Sequence, residues 1–186
     1  MIERRSALAG LLPMGAPART DGVRIEELED ALQLQLFARN GKSGELARVV
    51  ARFLKRKKPL APLESAEQGG IFICAVGPRE YWVLARGRSS AKNLGALEKV
   101  VKDHASVFEQ TDGRFVIRLS GPRAADVLAR GTSLDLHDPE RPDAWGSHTL
   151  IEHIPALVLR HMHKSAAVYN VSVPRSYAGS FVAWLR

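Results

Sequence analysis

Ile71-Phe72-Ile73-Cys74-Ala75-Val76, Gly77-Pro78-Arg79 and Glu80-Tyr81-Trp82-Val83-Leu84-Ala85 follow one another without a break. The two outer runs, 71–76 and 80–85, are rich in β-branched and aromatic side chains, which pack well on a pleated surface. A three-residue connection cannot carry the chain back across a sheet, so the runs must pair as an antiparallel hairpin. Upstream, Leu32, Leu34 and Leu36 alternate with polar neighbours over 32–38, the period of a half-buried strand. Asn40-Gly41 supplies a turn, and Ser43 is placed to cap a helix over 44–57 whose Leu46, Val49, Val50, Phe53 and Leu54 share one face. Residues 59–70 read as a loop.

Downstream the same grammar repeats. Ser89 or Ser90 can cap a helix over 91–103. Strands at 106–110 and 114–119 flank Thr111-Asp112-Gly113, where Asp-Gly predicts a second hairpin. Ser120-Gly121-Pro122 opens a third helix that runs to Arg130 and ends at Gly131. Three strands (148–154, 156–163, 166–172) precede a last helix from Pro174 to Leu185, with Tyr177, Phe181, Trp184 and Leu185 on its docking face. Hairpins mixed with single helices predict an α+β fold, an antiparallel sheet with helices packed on it, rather than a doubly wound parallel sheet. A ferredoxin-like half elaborated in the second part of the chain is the most economical topology. The expected organisation is an N-terminal arm, 1–22, and one compact domain, 23–186.

Composition narrows the class. The 186 residues carry 27 Lys and Arg against 20 Asp and Glu, a net charge of +7, and are 45% hydrophobic and 25% charged. Those fractions exclude a disordered or collagen-like chain. One cysteine, Cys74, excludes an intrachain disulfide and a Cys-rich zinc site. No apolar run is long enough to cross a bilayer, and Gly10, Pro13 and Gly15 break the short apolar start that superficially suggests an export signal. A cytoplasmic protein is expected, with no membrane.

Few residue clusters invite chemistry. His161 and His163 leave one face of a predicted strand, but two imidazoles do not complete a metal site. Cys74 lies among Ile71, Phe72, Ile73 and Val76, where a thiol is an inert core residue. Asp135 and His137 could form an acid/base pair, yet no nucleophile accompanies them, and a turn with an exposed ion pair accounts for them better. No phosphate-binding or dinucleotide fingerprint occurs. Lys55-Arg56-Lys57-Lys58 is the one dense basic run. It suits phosphate contacts, but also the negative end of a helix dipole or an acidic partner. No catalytic, cofactor-binding or metal residue is assigned, and nucleic acid is an unlikely partner.

A family resemblance rests on motifs in order along nearly the whole chain: 5–10, Gly77-Pro78-Arg79, then Gln110-Thr111-Asp112-Gly113-Arg114 through Ser120-Gly121-Pro122, then Asp135-Leu136-His137 and Pro174-Arg175-Ser176. In these the sequence resembles the γ subunit of heterotetrameric sarcosine oxidase, which is related to the aminomethyltransferase, or T-protein, folate-binding group. The family's Asp-Gln-Ser-Asp reads Glu109-Gln110-Thr111-Asp112 here. The resemblance implies a non-catalytic subunit that braces a larger one, beside α, β and δ subunits. FAD, FMN, NAD and tetrahydrofolate are implied for those partners and none for this chain. A stand-alone folate-binding or aminomethyltransferase-like protein, and a basic nucleic-acid-binding module, are the alternatives.

Overall fold

The computed structural model describes residues 6–10, 18–20 and 22–185. Its strands are β1 (Ala18–Thr20), β2 (Val23–Glu27), β3 (Ala31–Ala38), β4 (Ser65–Gln68), β5 (Ile71–Gly77), β6 (Glu80–Arg86), β7 (Ala105–Glu109), β8 (Arg114–Ser120), β9 (Trp145–Ile151), β10 (Ile154–His163) and β11 (Ala166–Pro174). Its helices are α1 (Ser43–Phe53), α2 (Arg88–Val101), α3 (Ala124–Ala129) and α4 (Ala178–Leu185). The fold is α+β, as the hairpin pattern predicts.

Where the sequence suggests one domain over 23–186, the chain forms two compact units. One holds Asp30–Thr111 with Ala144–Ser147; the other holds the described residues up to Glu29, Asp112–Asp143 and those from His148 on. The chain passes between them four times, at Glu29/Asp30, Thr111/Asp112, Asp143/Ala144 and Ser147/His148, and only the third crossing lies next to a Pro-rich loop. Of the N-terminal arm expected over 1–22, residues 1–5, 11–17 and 21 lie outside the described residues. Ala18–Thr20 adds an edge strand to β2, and Leu8 is buried. The Ser6 hydroxyl donates to Glu27, whose other carboxylate oxygen takes the Ala7 N–H at 3.2 Å.

In the unit built on Asp30–Thr111, the sheet order is β4-β5-β6-β3-β7. Leaving aside edge strand β4, the run β3-α1-β5-β6-α2-β7 with β3 between β6 and β7 is the expected ferredoxin-like arrangement. Alternation in β3 sends Leu34, Leu36 and Ala38 into a core with Ile71, Ile73 and Val83. Leu46 and Val50 of α1 and Leu94, Leu97 and Val101 of α2 cover it. Each such side chain contributes about 1.5–3 kcal/mol when fully buried. Gln33, Cys74, Trp82 and Leu84, which point to the other face, are buried as well. This is why 71–76 and 80–85 read as continuous apolar runs rather than alternating ones.

The other unit carries a six-stranded sheet in the order β1-β2-β8-β11-β10-β9. Phe181 of α4 meets Phe115 edge-on, with ring centroids 6.3 Å apart. The α4 helix buries Ala178, Phe181 and Val182, whereas Tyr177, expected on the docking face, is 41% exposed. A 3-10 turn, Arg175–Tyr177, precedes α4 and rotates Tyr177 off the helix face.

Three local expectations fail. The Asp112-Gly113 hairpin does not form: β7 pairs with β3, while β8 pairs with β2 and β11 in the other sheet. The helix expected over 44–57 stops at Phe53, and Lys42 rather than Ser43 occupies its N-cap. Lys55 takes a left-handed φ of 54°, its N–H bonding to Arg52 O at 3.0 Å, and Arg56 N–H bonding back to Ala51 O at 2.9 Å. That pair of bonds is the Schellman termination, here with lysine where glycine is usual. Helix α2 starts at Arg88 behind Gly87, and the buried Ser90 hydroxyl bonds to the carbonyls of Arg86 and Gly70 instead of capping. Strands β1, β2 and β4 were not anticipated. Pro122 precedes α3, whose N-cap is Arg123.

The β10–β11 hairpin turns through Lys164 and Ser165, at φ 48° and 63°. A two-residue turn of this hand suits Asn-Gly, because a side chain other than Asn or Asp in left-handed geometry costs roughly 1 kcal/mol. Replacing Lys164-Ser165 by Asn-Gly should therefore raise stability by about 1 kcal/mol, read as a shift to higher denaturant in urea unfolding at unchanged m-value.

Candidate functional site

The motif residues are divided between the two units. Gln110 belongs to the ferredoxin-like unit: its N–H bonds to Gln33 O at 2.9 Å and its side-chain amide to Gln35 Oε1 at 3.1 Å. Gln35 in turn donates to Glu80 Oε1 at 2.7 Å, so a polar chain crosses β7, β3 and β6. Asp112 and Gly113 stand just past the exit from that unit. Gly113 O accepts the Arg175 N–H at 3.0 Å, and Pro174 faces Arg114 in register, which ties the Pro174-Arg175-Ser176 turn to the start of β8. Ser176 itself is exposed.

Arg114 reaches along β11, its Nε donating to Ser172 Oγ and an Nη to Ser172 O, both at 2.8 Å. Burial pushes its guanidinium down to about 10, still protonated at neutral pH. One step along the same sheet face, Arg118 Nε donates to Asn170 Oδ1 at 3.1 Å and an Nη lies 3.6 Å from Glu26 Oε1. Asn170 and Ser172 are nearly fully buried, and Asn170 Nδ2 has no hydrogen-bond partner. Sequence reasoning missed this polar row. The signal available was Asn170 and Ser172 alternating with apolar residues in β11, with Arg114 and Arg118 four residues apart in β8.

At the far end of β8, Ser120-Gly121-Pro122 serves a close backbone approach. Gly121 has φ 113°, and a Cβ there would lie 2.2 Å from Gly22 O. Gly22, Val23, Arg24, Ser120 and Gly121 border a cavity of about 350 Å³.

The remaining candidates resolve simply. Asp135 Oδ1 accepts the backbone N–H of His137 at 3.0 Å, an Asx turn, while the exposed His137 imidazole pairs with Asp126 of α3 at 3.2 Å. Leu136 between them is buried. His161 and His163 do share a strand face, opposite Val168 and Ala166. Among the described residues no group of three or more His, Cys, Asp or Glu could hold a metal ion. Cys74 is buried, its Sγ 3.6 Å from Leu63 O and 3.5 Å from Gly146 O, and burial pushes its thiol up to about 12.

No family model matches the sequence, and no curated protein matches it. Solved structures do. A chain of the heterotetrameric sarcosine oxidase from Corynebacterium sp. U-96, solved in complex with pyrrole 2-carboxylate, matches at a TM-score of 0.77 and 26% identity. The match covers 98% of this chain and 92% of that one. The protein resembles a chain of heterotetrameric sarcosine oxidase. The glycine cleavage system aminomethyltransferase T from Bartonella henselae shares the fold at a TM-score of 0.63 and 14% identity, over 88% of this chain but 45% of the enzyme. No helix among the described residues is long and apolar enough to cross a membrane.

Two outcomes follow from this geometry. Gly121→Ala combines left-handed strain with a backbone clash and should cost about 2 kcal/mol or more, a drop in Tm of roughly 5 °C. For Cys74 the folded thiol keeps its proton where the unfolded one loses it. That contribution is fully present below about pH 9 and is lost as pH rises toward 12, at up to about 1.4 kcal/mol per pH unit. Urea unfolding from pH 8 to 11 should show this alkaline loss, and Cys74→Ala should flatten it.

Proposed function

We propose that this chain is the γ-type subunit of a heterotetrameric sarcosine oxidase, a bracing element beside α, β and δ subunits. In such a complex sarcosine is oxidised by two electrons to glycine and a one-carbon unit. The electrons reduce oxygen to hydrogen peroxide, and the one-carbon unit passes to tetrahydrofolate. FAD, FMN, NAD and tetrahydrofolate then belong to the partner subunits, and the complex works in the cytoplasm.

The extent of the structural match carries the reading. This chain pairs with nearly all of a sarcosine oxidase chain, but with less than half of the aminomethyltransferase. The motif residues support it: Gln110, Gly113, Arg114, Asp135 and Arg175 bond within the chain, where they hold strand ends and turns in place. What the chain supplies to catalysis is rigidity. A subunit whose turns and strand ends are already held by internal bonds offers a partner a preformed surface, so assembly loses little conformational entropy.

Co-expression with sarcosine oxidase α, β and δ subunits should give one species on size exclusion that contains this chain and oxidises sarcosine. The isolated chain should be colourless and inactive. Persistence of the chain as a monomer beside those subunits would defeat the proposal. The rival reading, a stand-alone folate-binding protein, predicts about 2.7 kcal/mol of stabilisation by tetrahydrofolate at 100 times its dissociation constant. No thermal shift is expected.

A further inference from the structure

The chain's positive charge is concentrated rather than spread. Residues 46–63 hold six Lys and Arg (Arg48, Arg52, Lys55, Arg56, Lys57, Lys58) and no Asp or Glu. The rest of the sequence carries 21 Lys and Arg against 20 Asp and Glu, so nearly all of the +7 resides in these 18 residues. Among the described residues, Arg56 alone of these six forms an ion pair, to Glu64 at 2.5 Å. Arg48, Arg52, Lys55, Lys57 and Lys58 are exposed. The nearest acid on the helix, Glu45, is held by Lys42 at 2.9 Å, and that contact, with weaker help from His104 and Arg48, keeps its carboxyl below the usual range.

A helix-dipole explanation covers little of this. The dipole acts within the last turn. Helix α1 ends at Phe53, so of these cations Arg52 lies in that turn, and Lys57 and Lys58 lie beyond it. Lys55 holds a left-handed backbone that glycine would adopt without strain, so a cation is kept there against a conformational cost. A spacing of four residues sets Arg48 and Arg52 on one side of helix α1, about 6 Å apart along its axis, and Lys55, Lys57 and Lys58 follow directly past its end. The aromatic residue within the stretch, Phe53, packs against the core, leaving no stacking platform for bases.

We infer that this basic ridge docks an acidic surface of a partner polypeptide. The inference rests on the subunit reading above, and it names the face through which the chain is held. Charge complementarity of this kind steers encounter and fixes orientation.

The test uses the full chain and the variant R52S/K55G/K57S/K58S, in which glycine at 55 preserves the turn. Titration with fluorescent poly-L-glutamate should show affinity that falls with salt and drops at least tenfold in the variant. Equal binding by the variant would overturn the inference, as would tighter binding of a DNA duplex of matched charge through the same four residues. In the co-expression experiment the variant should yield a complex that dissociates at lower salt. If the variant assembles as firmly as the parent, the ridge is not the docking face, although the subunit reading stands. If the parent fails to assemble, the subunit reading falls, and the poly-L-glutamate titration alone judges the ridge.

Discussion

The Thr111 hydroxyl accepts the backbone N–H of Gln33 at 3.0 Å, one residue after Gln110 N–H has bonded to Gln33 O. A side chain thereby completes a ladder that the backbone has stopped following. Buried as it is, an unsatisfied Gln33 amide would cost about 1–3 kcal/mol, so the exchange fixes where the strand ends. From the next residue the chain builds the other sheet, with β8 between β2 and β11 as its centre. The architecture of both units depends on that hand-over. Without it, β7 could run on into β8 as a hairpin and neither sheet would have its order.

Local patterning made most elements legible. Alternation in Leu32, Leu34 and Leu36 identified β3, and the paired apolar runs identified β5 and β6 with their connection. What escaped was decided by partners distant in sequence. Asp112-Gly113 has the composition of a tight turn, yet whether two strands pair is settled by which edges are free. β4 contains Ser65 and Gln68, too polar to register as a strand. The end of α1 turns on a lysine in a conformation usually reserved for glycine, which no periodicity reports. Gly131 directly follows the C-cap of α3, as expected, and a contact adds to the need for glycine there: a Cβ would lie 2.6 Å from the Trp184 ring and 3.0 Å from Ile151.

The candidate site was legible in a different sense. The motif residues were visible by their order along the chain, and Gln110, Gly113, Arg114, Gly121, Asp135 and Arg175 sit in a turn, strand end or close approach. Their buried counterparts, Asn170 and Ser172, carry no motif, because a polar residue inside a strand stands out only once the strand is known to be covered. The basic run was visible from the outset. Its meaning changed when α1 proved shorter, because charges past a helix end are no longer explained by the helix.

The alternation of the two units along the chain has a consequence for how this protein can vary. Neither unit is an uninterrupted segment: Ala144–Ser147 is embedded in the sequence of one while packing with the other, through Ser65 N–H to Ala144 O at 3.0 Å and Gly146 N–H to Leu63 O at 2.8 Å. No single cut yields an intact half. A gene encoding this architecture is inherited whole, and shuffling by simple fusion of one lobe to another scaffold is closed to it.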